Sequence, residues 1–346
     1  MKHAKLFSIL VFAVAAIYGI VGYAFLPLAR FHGDLTRVGR LPESMFGWTQ
    51  PQPAIPPELM RQSSWQEADV LVIGDSFSGS RVWQTKLTQQ GLKVHTEHWN
   101  SVRNICKDFE PWVRGMGFKG RYIVLESIER GFHEIRHSLE CHSMDFHSSI
   151  EASRPKPPPL TSFDPDQIDF SGRMTIGMQA KLNTLKYQEL SAKPEFSSWS
   201  LDGGAKVVRT PNGCRLFSHH QCQDALYMGE DRAQDIDPTL IDVMMQLNQR
   251  MPGLTPIWVV VPNKSTTYLY PDKKFWEVAS GRMDTPNVLA RFRQALATGT
   301  VDLYPGNESH LSTTGYLMLG DLILHELEQR RNSQQPTTHD FHPGIR

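Results

Sequence analysis

The chain has 346 residues, with 36 basic and 36 acidic side chains, so its formal charge is zero. That balance argues against a nucleic-acid surface, which would need a basic excess. The length suits one large domain with insertions or two modest ones, and no fixed-period repeat runs along it.

At the N-terminus, Lys2 and Lys5 precede an uncharged apolar run from Leu6 to Ala29. About 20 apolar residues cross a bilayer as a helix, whereas a secretory apolar region is only about 7 to 15 long. A retained signal anchor therefore fits residues 1–30 better than a cleaved peptide. The two lysines favour a cytoplasmic N-terminus, opposed by Arg30 and Arg37 on the other flank. The rest of the chain would then lie outside the cytoplasm. Residues 31–65 contain "PQPAIPP", which reads as a proline-stiffened linker. The folded domain is expected over 66–331, with a flexible tail at 332–346.

Five segments read as short buried strands, being apolar or β-branched and mostly bounded by Gly, Pro or Asn: Val70–Ile73, Leu92–Thr96, Tyr122–Leu125, Ile257–Val261 and Val301–Tyr304. Helical patterns lie between several of them. "FSGSRVWQTKLTQQG" follows the first strand. "DPTLIDVMMQLNQRMPG" precedes the fourth, with Asp237 as N-cap and Pro238 at the first helical position. "STTGYLMLGDLILHELEQRR" closes the domain, with apolar residues at 316, 319, 322, 323 and 327 on one face. Alternation of this kind implies an α/β domain with a mostly parallel sheet. The stretch from about 140 to 235 breaks the rhythm and reads as an insertion, a candidate lid or substrate platform.

Four cysteines are consistent with an oxidising compartment. Cys214 and Cys222 bracket a loop that a disulfide could staple, leaving Cys106 and Cys141 as the other pair. His219 and His220 inside that loop raise a metal site as an alternative, but their spacing matches no standard zinc pattern. A stapled surface loop is the expectation.

In a parallel α/β sheet the functional crevice lies beyond the carboxyl ends of the strands. Ser76, in "VLVIGDSFSG", falls there at the opening of a helix, where it serves either as nucleophile or as cap. The α/β-hydrolase elbow G-x-S-x-G is not met, because Ser78 stands at its second glycine. A serine nucleophile needs a base with an orienting partner. His310, in "YPGNESHLSTTGY" after the last expected strand, sits at the matching place, and Glu308 two residues earlier can hold its imidazole.

On these residues the chain resembles SGNH-type (GDSL-like) hydrolases and acyltransferases. Gly74-Asp75-Ser76 matches the opening block, and Asn307-Glu308-Ser309-His310 the closing one, with asparagine where many members have aspartate. The D-x-H spacing, with Glu308 as the acid, is similar to that of the membrane-linked alginate O-acetyltransferase-like branch, although that branch carries its D-x-H block before the serine. "YIVLESIERGF", with Glu129 and Arg130, and "IWVVVPNKSTTYLYPD", with Pro262, Lys264 and Tyr268 or Tyr270, also resemble that branch. The resemblance covers about residues 68–135 and 237–328. It implies an α/β/α sandwich and a catalytic set of Ser76, His310 and Glu308. Asp75, Arg103, Asn104, Arg130 and Lys264 are expected around the oxyanion and substrate, with no metal and no cofactor. Arg103 and Asn104 follow the second strand, where such folds supply oxyanion donors; Asp75 is expected chiefly to shape the turn. The implied activity is acyl transfer to, or ester hydrolysis on, a cell-surface polysaccharide. The enzyme would be held in the inner membrane with its domain in the periplasm, its acyl donor supplied by a multispanning membrane acyltransferase. A catalytically weak binding or assembly factor of a polysaccharide secretion complex is the competing reading.

Overall fold

Four of the five expected strands form one parallel sheet in a computed structural model that describes residues 2–145, 162, 171–231 and 233–333. They are β1 (Val70–Gly74), β2 (Val94–His98), β3 (Tyr122–Ile128) and, after the insertion, Thr255–Val261, in the order β2, β1, β3 and then that last strand. All of β1 and most of β3 are buried on both faces, as near-continuous apolar runs require. The last strand lies at an edge and carries Pro256 near its start, where a missing N–H is tolerated. Strand β2 begins two residues later than expected, because the Leu92 amide closes the preceding turn on the Leu87 carbonyl.

The fifth expected strand, Val301–Tyr304, is not a strand. Asp302 has φ 52°, which breaks an extended run. The Tyr304 amide donates instead to the Tyr268 hydroxyl at 3.0 Å. Leu303 and Tyr304 are nonetheless buried, which explains their strand-like composition.

The N-terminal apolar run forms helix α1 (Lys2–Phe25), with exposed apolar side chains. With the turn that follows, it is long and apolar enough to cross a membrane. The segment expected as a linker is folded. Helices α2 (Asp34–Gly39) and α3 (Glu43–Phe46) and the turn between them bury Leu35, Leu41 and Phe46 completely. Their partners are Tyr187, Leu201, Val207 and Leu226 of the insertion, which together make a second apolar cluster. The physical reason is the apolar content of 35–46, which the nearby prolines masked.

The serine turn opens α4 (Ser76–Gly79), and the expected single helix there breaks at Arg81, φ 59°. Within the insertion, α5 (Met174–Ser191) packs on the end of α1. An antiparallel sheet follows, made of β4 (Ser198–Ser200), β5 (Ala205–Arg209) and β6 (Asp224–Met228). The remainder of the expected insertion, at 146–161 and 163–170, lies outside the described residues, as does the tail from 334 onward. Helix α6 (Thr313–Ser333) buries Tyr316, Leu319, Ile323 and Leu327 on one face. Disulfides join Cys106 to Cys141 and Cys214 to Cys222, each pair 4.6 Å apart at Cα. In the stapled loop His219 is buried, and His220 Nδ1 lies 3.0 Å from the Ser44 carbonyl, so the loop docks on α3.

Candidate active site

Strand β1 ends at Gly74, where a Cβ would overlap both Ser78 and Glu126; only glycine lets the chain pass. Asp75 then caps α4. Its Oδ1 accepts from the Phe77 amide at 2.9 Å and its Oδ2 from the Ile128 amide at 2.6 Å. One carboxylate oxygen therefore caps α4 and the other ties the turn to the end of β3, so Asp75 shapes the turn and both its oxygens are already engaged. Beneath the turn, Glu126 is fully buried and accepts from the Ser78 hydroxyl at 2.6 Å and the Asp75 amide at 3.2 Å. Burial, and then the charge of Asp75, push the Glu126 carboxyl well above its ordinary range. Ser78 thus works from beneath the turn.

Ser76 is left pointing outward from this platform. His310 Nε2 lies 2.8 Å from Ser76 Oγ, and Nδ1 lies 3.0 Å from Glu308 Oε1. With Nδ1 protonated against the carboxylate, Nε2 is free to accept the serine proton. The Phe77 ring stacks obliquely on the imidazole, centroids 4.9 Å apart. The imidazole is sited by these contacts although Ser76 and His310 stand 234 positions apart in sequence.

A second carboxylate, missed in the sequence, reaches the same nitrogen. Asp34 Oδ2 lies 3.5 Å from His310 Nδ1. Burial depresses the His310 pKa, but hydrogen bonds to Asp34 and Glu308 outweigh it and raise the group to about 9. Asp34 itself is held well below the carboxylate range. Burial opposes this, but hydrogen bonds to His310, Glu308 and Ser309 prevail. Glu308 moves the other way, chiefly through burial, against the pull of His310. The available signal was the apolar spacing Leu35, Val38, Leu41, Met45, which a solvated linker would not carry.

The histidine loop is clamped from two sides. On one side lies Lys264, expected near substrate but fully buried in the structure. Its Nζ donates to the carbonyls of Pro305, Gly306 and Glu308 at 2.6, 3.0 and 3.2 Å. It holds the loop from within, and burial lowers its pKa to about 7. On the other side stand α2 and α3. Asn307 donates from Nδ2 to Glu43 Oε2 at 2.7 Å, which accounts for an amide three residues before the histidine. A Cβ at Gly33 would overlap Asn307, so the two segments meet backbone to backbone.

The other expected residues lie along the same sheet edge. Gly74 is in register with His98, and Arg103 and Asn104 follow the helical turn Trp99–Val102 that leaves β2. Arg103 is exposed at φ 60°, and neither side chain makes a hydrogen bond among the described residues. Arg130 is drawn away, pairing with Glu230 at 3.4 Å and reaching Asn263 Oδ1 at 3.4 Å. Together with Glu129, Arg136 and Asp237 it lines a cavity of about 640 Å³ that begins at Ile128, the residue bonded to Asp75. Of the two tyrosines, Tyr268 is buried behind the loop and Tyr270 is exposed.

Asp34, Glu308 and His310 also bring three ligand-type atoms within 4.8 Å of one another. Those side chains already bond one another and Ser309, an arrangement that suits proton handling better than cation binding. Chemically, the array can activate a hydroxyl as a nucleophile and return the proton to a leaving group. Comparison with family models, with curated proteins and with solved structures found no match.

Proposed function

We propose that the chain is a serine-dependent O-acyltransferase or esterase of the SGNH type, anchored in the inner membrane by α1, with its α/β/α domain in the periplasm. The single observation that carries this reading is the hydrogen-bonded series Glu308, His310, Ser76, at 3.0 and 2.8 Å, beyond the carboxyl end of β1. The two disulfides fit an oxidising compartment.

Ser76 Oγ attacks the acyl carbonyl while His310 Nε2 takes its proton, and the carboxylates offset the charge of the imidazolium. The tetrahedral intermediate collapses, the bond from the carbonyl carbon to the donor oxygen breaks, and His310 protonates that oxygen. A sugar hydroxyl or water then attacks the acyl-Ser76 ester in the reverse sense, regenerating the serine. Arg103 and Asn104 are the side chains of the β2 edge available to the oxyanion. The substrate is a cell-surface polysaccharide, and the cavity beside Arg130 is the room available for it. For transfer, the acyl donor comes from a multispanning membrane acyltransferase, and α1 keeps the two proteins together.

The competing reading, a catalytically weak assembly factor, drew on asparagine at 307. The bond from Asn307 to Glu43 gives that residue a structural task, which weighs against drawing on it for that reading. The test is hydrolysis of a small acetyl ester by the full chain in detergent. The parent should be active, and Ser76→Ala and His310→Ala should each lose activity. A parent that hydrolyses and transfers nothing would defeat the proposal.

A further inference from the structure

The contacts between residues 33–43 and the histidine loop are more numerous than a tether requires. The Ser309 amide donates to Asp34 Oδ1 at 2.8 Å, and the Ser309 hydroxyl donates to Asp34 Oδ2. The Asp34 amide donates to Glu308 Oε2 at 3.2 Å, and the Leu35 amide to the Asn307 carbonyl at 3.0 Å. Glu43 secures the entry to α2 by accepting from the His32 and Gly33 amides at 2.7 and 2.9 Å, and bonds Asn307 from its other oxygen. Every residue from 307 to 309 is therefore bonded to the segment that leaves α1. The apolar run ends at Ala29, and a chain extends at most about 3.6 Å per residue, so Asp34 lies within about 18 Å of that end.

We propose that Asp34 is a positioning residue for His310, making the segment that leaves α1 a working part of the Ser76 centre. The proposal rests on the reading of Ser76 as a nucleophile and deepens it. Two carboxylates face one imidazole nitrogen, Glu308 from its own loop and Asp34 from α2. Ser76 and the Phe77 ring face it from α4, and the Lys264 amine stands behind the loop within electrostatic reach of both acids. Glu308 supplies the closer hydrogen bond. Asp34 supplies the more persistent negative charge and fixes Ser309, the residue between Glu308 and His310. Withdrawal of α2 would loosen both acids at once, so the anchor segment and the nucleophile are coupled.

The test uses the full chain in detergent and two readouts. The first is the pH dependence of Ser76 labelling by a fluorophosphonate. The second is the titration of His310 followed by NMR of carbon-13-labelled histidine, assigned by the signal lost in His310→Gln. In Asp34→Asn the His310 midpoint should fall by about one pH unit or more, as loss of a neighbouring opposite charge implies. The labelling plateau at high pH should fall at least several-fold. Asp34→Glu should bring the midpoint back toward the parent value. Asp34→Ser gives the same readouts without charge should the amide variant not fold. A residue of purely structural value would lower the plateau and leave the midpoint in place, and an unmoved midpoint in the uncharged variants overturns the proposal. Absence of labelling in the parent would count against Ser76 as nucleophile, whereas the NMR midpoint judges Asp34 independently of it.

Discussion

The turn that carries Ser76 and the loop that carries His310 are supported in different ways. Asp75 and Glu126, which hold the serine turn, stand at the ends of neighbouring parallel strands, joined by bonds of 2.6 Å to Ile128 and Ser78. The histidine loop does not extend a strand of the parallel sheet; it is met by β6 of the antiparallel sheet, the Leu226 amide donating to the Gly306 carbonyl at 2.9 Å. It hangs between buried Lys264 on one side and the α2–α3 segment on the other, where Asp34 and Glu308 meet across 274 positions of sequence. The sheet makes the first support a by-product of the fold. The second exists only if remote pieces arrive together, so the His310 side is the more easily disturbed half of the site.

That contrast can be broken experimentally. The largest effect should come from Ser76→Ala, with ester hydrolysis falling about 10³-fold or more. Ser76 is half-exposed, so thermal stability should stay within about 0.5 kcal/mol of the parent. Equal losses of stability and activity in a calorimetric and kinetic comparison would mean that the turn is not a separate platform. Next, Lys264→Met removes one donor from each of three loop carbonyls, of which Pro305 and Gly306 keep a backbone partner, and should cost about 2 kcal/mol in denaturant melts. Activity should fall with it while Ser76 and its turn keep their sequence intact. A stable, fully active Lys264→Met would remove the inner clamp from the account.

The pH dependence is the third test. His310 has a folded pKa raised to about 9 from 6.5. The imidazolium cannot accept the Ser76 proton, so the rate for free enzyme should rise with pH and level off above about 9. For stability the sign is opposite. The raised pKa contributes fully below about 6.5 and is lost as pH rises through about 9. A flat rate from pH 6 to 10, in buffers that leave the fold intact, would contradict the two-carboxylate environment. The smallest effect belongs to the serine side. Glu126 has a raised pKa, so its burial costs stability increasingly as pH climbs above about 4.5. Glu126→Gln should lie within about 1 kcal/mol of the parent near pH 4 and gain relative to it as pH rises. A melt series in which the variant loses ground with pH would contradict a raised Glu126 carboxyl.

The same contrast explains how much was legible in the sequence. Ser76 could be found because the apolar run 70–73 and Gly74-Asp75 lie beside it, and His310 with Glu308 because acid and base are two residues apart. The parallel sheet followed from four apolar segments. Asp34 and Glu43 are not legible because their partners are far along the chain, and because the prolines after residue 50 give the stretch a linker-like composition despite Leu35, Leu41 and Phe46. Lys264 was visible as a motif residue, but nothing local distinguishes a lysine that reaches three buried carbonyls from one that meets substrate. Val301–Tyr304 reads as a strand because burial selects the same residue types whether or not the backbone is extended, and φ 52° at Asp302 separates the cases.

The central claim is that His310 activates Ser76. Its most direct measurement is fluorophosphonate labelling of the full chain at pH 9, with the modified peptide identified by mass spectrometry. The account predicts label on the peptide carrying Ser76, absent in Ser76→Ala and strongly reduced in His310→Ala. An unlabelled parent, or label on Ser76 that is indifferent to loss of His310, would contradict it.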